Sequence, residues 1–118
     1  MSDHVLRATV YLNDAPHSFS GFNRVGPARL RRAASFELSI PAGTRPVHTA
    51  TAAALEHVFE QLNVDDPATA WAQCYRLARH RSLSVGDVVV IGETAWAVAA
   101  IGWSPVSADE FAAALTDR

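Results

Sequence analysis

The sequence predicts an α+β fold: a four-stranded antiparallel sheet in the order β-β-α-α-β-β-α, with helices packed on one face. Three observations carry this. Two early stretches alternate apolar and polar residues with period two, the middle of the chain repeats apolar residues at helical spacing, and no strand pair is joined by a right-handed crossover pattern. A chain of 118 residues is the size of one domain, read here as 1–118. Such a chain buries roughly two-thirds of the surface that its unfolded form exposes.

The first strand is "VLRATVYL", where Leu6, Ala8, Val10 and Leu12 alternate with Arg7, Thr9 and Tyr11. The second is "SFELSI", where Phe36, Leu38 and Ile40 alternate with Ser35, Glu37 and Ser39, and Pro41 and Gly43 stop it. Each pattern fits a strand with one buried and one wet face. Between them lies a long Arg-rich loop at about 14–34 with no clear period, and a loop that long inside a compact domain is usually functional or disordered.

Two helices follow. "TATAAALEHVFEQLNV" sets Leu55, Val58, Phe59 and Leu62 on one stripe, with Glu56 and Glu60 opposite. "DDPATAWAQCYRLARH" predicts a helix with Asp66 as N-cap, Pro67 at the first position, and a buried stripe of Trp71, Cys74, Tyr75 and Ala78. In "RSLSVGDVVVIGETAWAVAAIGW", Gly92-Glu93 predicts a two-residue hairpin turn that sets Val89 across from Trp96 and Val88 across from Ala97. Both faces of that hairpin are apolar, which places it in the middle of the sheet under the helices. Ser82, Ser84 and Asp87 read as turn and capping residues. The last helix has full start signals: Ser107 and Glu110 form a capping box, and Val106 and Phe111 a hydrophobic staple.

Charge is uneven along the chain. The formal net charge is −2, and all ten basic residues are Arg. Arg24, Arg29, Arg31, Arg32 and Arg45 share a segment with Glu37 as its one acid, and Arg76, Arg79, His80 and Arg81 form a second cluster. The second cluster is a second candidate binding site, with an ordinary explanation beside it: basic residues complement the negative end of a helix dipole. A single cysteine, Cys74, makes no internal disulfide. With no secretory leader pattern and no apolar run of membrane-spanning length, the expectation is a reducing, cytoplasmic setting and no membrane contact.

The stretch from Arg81 to Trp103 resembles the C-terminal signature of the YodL-like domains, small modules of phage, plasmid and conjugative-element proteins. The likeness covers about residues 80–103: a basic residue, Ser-Leu-Ser-Val-Gly-Asp-Val, a turn, and an aromatic-containing strand ending in Gly-Trp. It implies a mobile-element accessory protein and carries over no catalytic residue. The chain's own residues point the same way. His48 and His57, or Cys74 and His80, are not spaced to converge on a metal, and without lysine neither a P-loop nor a Schiff base can form. The expectation is therefore no enzyme, no cofactor and no metal site.

Binding remains, with two classes of partner. The first is a protein that this chain modulates or inhibits, with Tyr11 and Trp103 as outward-facing candidates. The alternative is nucleic acid at "FSGFNRVGPARLRR", where Phe19 and Phe22 would stack bases while Arg24, Arg29, Arg31 and Arg32 neutralise phosphates. The competing structural reading has Phe19, Phe22 and Leu30 pinning the loop to the core. Monomer and homodimer both fit the pattern.

Overall fold

The computed structural model describes residues 4–15, 21–22, 28–40, 47–64 and 66–116. The elements are β1 (His4–Asn13), β2 (Leu30–Ile40), α1 (Val47–Asn63), α2 (Ala70–Leu77), β3 (Val88–Ile91), β4 (Thr94–Val98), β5 (Trp103–Val106) and α3 (Ala108–Thr116). The α+β class and the antiparallel sheet are as expected. The strand count is not: the sheet has five strands, in the order β2-β1-β3-β4-β5.

β5 escapes the period-two reading because it is four residues long and contains Pro105. A proline donates no ladder hydrogen bond and is tolerated at a sheet edge, which is where β5 lies, with Pro105 opposite Trp96. A tight turn returns the chain from β4, closed by the Ala99 N–H on the Gly102 carbonyl at 3.0 Å. Gly102 has φ 71°, a conformation that favours glycine.

The predicted hairpin register is correct. Val89 pairs with Trp96 and Val88 with Ala97, and Gly92 at the first turn position has φ 60°, the geometry of a turn whose twist matches that of the strands. β3 is the central strand, as its two apolar faces require.

The helices do not share one face. Leu55, Val58 and Leu62 of α1 and Ala72 and Tyr75 of α2 pack on Ala8, Val10, Leu12, Leu38, Val89 and Ile91. A second cluster joins Phe111, Ala114 and Leu115 of α3 to Tyr11, Leu30, Val88, Ala97 and Val106. Because successive strand side chains point to opposite faces, Val88 and Val89 belong to opposite layers. α3 therefore covers the side away from α1 and α2. Its start is built as expected: Ser107 N–H donates to Glu110 Oε1 at 2.9 Å and Glu110 N–H to Ser107 Oγ at 3.1 Å.

A register shift between Val10 and Tyr11 makes the second core possible. Ala34 pairs with Val10 but Arg32 with Tyr11, so Ala33 is an extra residue on β2. Such a bulge moves every residue beyond it to the other face. Leu30, which would otherwise share the face of Ala34 and Phe36, drops into the α3 layer and is 1% exposed.

Three local expectations need correction. The loop ends at Arg29, since Leu30 opens β2 and places Arg31 and Arg32 on a strand. α2 starts at Ala70 with Thr69 as N-cap, not at Pro67. The Gln61 Oε1 of α1 accepts from Ala68 N–H, Thr69 N–H and Thr69 Oγ1 at 2.9 to 3.0 Å, so a neighbouring helix holds the segment that leads into it. With the start displaced, the buried pair is Ala72 and Tyr75, and Cys74 is exposed instead of buried.

Candidate binding groove

The Ser-Leu-Ser-Val-Gly-Asp stretch builds a buried polar junction. Asp87 is 0% exposed. Its carboxylate accepts Arg81 at both oxygens, Nη1 at 2.6 Å and Nη2 at 2.8 Å. It also accepts the backbone N–H groups of Asn13 and Ser84, each at 2.8 Å. Forked contacts of this kind are among the strongest hydrogen bonds that proteins make. The Arg81 pKa is raised above its ordinary value, first by the hydrogen bond to Asp87.

Asn13 carries the junction across the sheet. Its amide donates to the Gly86 carbonyl at 3.0 Å, and its Oδ1 accepts Ala15 N–H and Arg29 N–H at 3.0 and 3.1 Å. Both ends of the segment between β1 and β2 are thus tied to one side chain. Phe22 packs into the α3-side core with Ala28 and Leu30. Arg31 is ion-paired with Asp14 at 2.9 Å, Arg32 is exposed on β2, and Arg29 is exposed at the loop's end. Phe19 and Arg24 lie outside the described residues.

The second basic cluster disperses. Arg81 faces inward to Asp87, Arg76 donates to the Val64 carbonyl at the end of α1, and the His80 ring lies 4.9 Å from that of Tyr75. Arg79 adopts φ 66° where the chain leaves α2, a left-handed position usually filled by glycine. Tyr75 donates its hydroxyl to the Arg81 carbonyl at 2.8 Å. Burial, and then the charge of Asp87, push its pKa from 10.0 up to about 12.

That shift has a testable sign. A phenol that ionises less readily when folded contributes stability in full below its unfolded pKa, and that contribution is lost as pH rises through the folded value. The melting temperature should therefore fall between pH 10.0 and about 12, and Tyr75→Phe should flatten that fall. Thermal melts of both proteins across this window check it.

An apolar hollow lies elsewhere, between α1 and the β4–β5 hairpin. It encloses about 570 Å³ and is lined by Thr51, Ala52, Leu55, Glu56, Thr94, Trp96 and Trp103. Trp96 and Trp103 share the α1-facing side of neighbouring strands, because Trp96 is opposite Pro105 and Trp103 opposite Val98. Both indole N–H groups are engaged within the chain, Trp96 with Thr94 Oγ1 at 3.1 Å and Trp103 with Glu56 Oε2 at 3.0 Å. The rings thus present carbon surface to the groove. Phe59 braces Trp103 edge-on, with ring centroids 6.1 Å apart.

Trp96 is half-buried and lines this groove, so it is not the closed core residue its flanking pattern suggests. Of the two residues expected to face outward, Trp103 reaches the groove, whereas Tyr11 packs edge-on against Phe111 at 4.9 Å. Thr51, Ala52, Glu56 and Thr94 were not legible as site residues. One usable signal exists: two tryptophans on one face of a strand pair, opposite the small-residue turn "TATAAA" of α1, leave volume that nothing in the sequence fills.

Charge separates along the sheet. Residues 82–116 contain no Arg and no Lys, nor does α1, and Glu56 and Glu93 line the hollows around β4 and β5 with no Arg among the described lining residues. The described Arg residues sit on β1, β2, α2 and the segments beside them. Among the described residues, no group of three or more His, Cys, Asp or Glu could hold a metal, and no helix is long and apolar enough to cross a membrane.

No protein-family model, curated protein or solved structure matches the chain.

Proposed function

We propose that this protein is a non-enzymatic accessory factor that acts by binding a partner protein, modulating or inhibiting it, through the groove between α1 and the β4–β5 hairpin. The groove itself carries the reading: an open, mainly apolar recess with two tryptophan walls is the usual form of a recognition site. Ile101, at the tip of the adjoining hairpin, is 94% exposed and extends the apolar surface beyond the groove. The buried carboxylate, Asp87, is spent on structural hydrogen bonds, which supports binding over catalysis. The resemblance of residues 80–103 to YodL-like domains supports a mobile-element setting.

The experiment is affinity capture with three baits: the native chain, Ala52→Arg, and the triple variant Arg29→Ala, Arg31→Ala, Arg32→Ala. Ala52 is an exposed helix residue at the groove wall, so arginine there fills the groove at little cost to α1. Ala52→Arg should lose the partner and the triple variant should keep it. Capture lost only in the triple variant, together with salt-sensitive retention of DNA or RNA, would overturn the groove reading in favour of nucleic-acid binding at the Arg segment.

A further inference from the structure

Building on the proposed groove contact, we propose that the partner segment it accepts carries a basic residue, arginine or lysine, whose apolar stem lies against Trp96 and Trp103 and whose cationic head meets the Glu56 carboxylate. Glu56 is the one ionisable residue among the seven described residues that line the groove. Trp103 N–H holds its Oε2, and no described residue donates to Oε1. An isolated carboxylate at an apolar wall discriminates between occupants. A neutral apolar side chain would strip water from it without replacement, which is unfavourable. A guanidinium or ammonium supplies the missing donor and gains further from the aromatic walls.

The surroundings sharpen the preference. On α1, the His57 ring lies 5.6 Å from that of Trp71, and Glu60, one turn beyond Glu56, is an exposed acid. The adjoining hollow beyond Trp103 is lined by Glu56, Phe59, Val98, Ala99, Ala100 and Gly102, with no base among them. Arg and Lys are missing from α1 and from residues 82–116, and among the described residues no base is paired with this carboxylate. Long basic side chains suit such a site because they bury an apolar stem while keeping the head solvated or paired.

The test uses the full chain and two short probes, acetyl-Leu-Arg-Leu-amide and its neutral counterpart with citrulline in place of arginine. Binding is read from the indole N–H resonances of Trp96 and Trp103, with Trp71 as internal reference. The arginine peptide should shift the first two signals and bind about tenfold more tightly than the citrulline peptide, the scale of one charge-assisted contact. Glu56→Gln should erase that difference, because its amide oxygen can still accept from Trp103 while the charge is gone. An unshifted Trp103 indole resonance in the free variant confirms that the groove is intact.

Equal affinity for both peptides, a preference that survives Glu56→Gln, or no shift with either peptide overturns the inference. Equal binding that Ala52→Arg abolishes leaves the groove as the contact and removes only the basic residue. Absence of binding, combined with undiminished partner capture by Ala52→Arg, removes both.

Discussion

Asp87→Ala is expected to lower stability by about 2–4 kcal/mol, the cost of losing a hydrogen-bonded carboxylate and leaving a buried backbone donor unpaired. The wall around this residue explains the size. Asp87 is 0% exposed while Arg81 retains 40% side-chain exposure, so the arginine and the exposed Ser84 can turn to water, but the N–H of the buried Asn13 cannot. Each buried donor left without a partner costs about 1–3 kcal/mol. Asn13 also ties Ala15 to Arg29, so the variant should loosen the segment between β1 and β2 as well. Urea denaturation measures the first effect and amide exchange at Ala15 and Arg29 the second. Arg81→Ala leaves the carboxylate buried without its cation, and a double-mutant cycle over the two positions should show strong coupling. An Asp87→Ala protein with the native urea midpoint would show that the junction is not a stabilising element.

Leu62→Ala is the second large effect, about 2–5 kcal/mol. Leu62 is 1% exposed and sits on the stripe of α1 that meets the sheet through Leu55 and Val58. Truncation removes apolar burial and leaves a cavity, since close-packed neighbours relax only in part. Leu77 is the control: it is 81% exposed on α2, and Leu77→Ala should stay within about 0.5 kcal/mol of the native protein. Equal midpoints for the two variants would mean that α1 does not pack as described.

The two predictions differ in how legible their residues are. Leu62 can be named from the sequence because its stripe repeats within one helix. Asp87 reads only as a turn residue after glycine. Its partner Asn13 lies 74 positions away, and no local pattern announces that contact. The groove belongs to the second kind. It needs Ala52 and Glu56 from α1 opposite Trp96 and Trp103, forty or more residues later, and a recess is defined by what is left unfilled.

The arginine segment shows how tertiary structure redistributes a pattern. Five basic residues close together in sequence suggest a single patch, yet Arg31 is paired with Asp14 and Arg31 and Arg32 sit on a bulged strand that sends neighbours to opposite faces. Phe22, a candidate for stacking bases, is instead packed in the core beneath α3. Proximity along the chain becomes a shared surface only where the backbone keeps those side chains on one side.

The sequence by itself determined whatever is set by interactions within a turn or two of chain. That includes the strand alternation of β1 and β2, the buried stripe of α1, the Gly92 hairpin with its register, the capping box of α3, and the central place of a strand apolar on both faces. Tertiary structure alone decided the fifth strand, the layer in which α3 packs, the bulge at Ala33 that turns Leu30 into a second core, the Asp87 junction and the tryptophan groove. The reason is physical: backbone periodicity and capping are local energies, whereas the face a segment buries and the space it leaves open depend on partners that only the folded chain brings together.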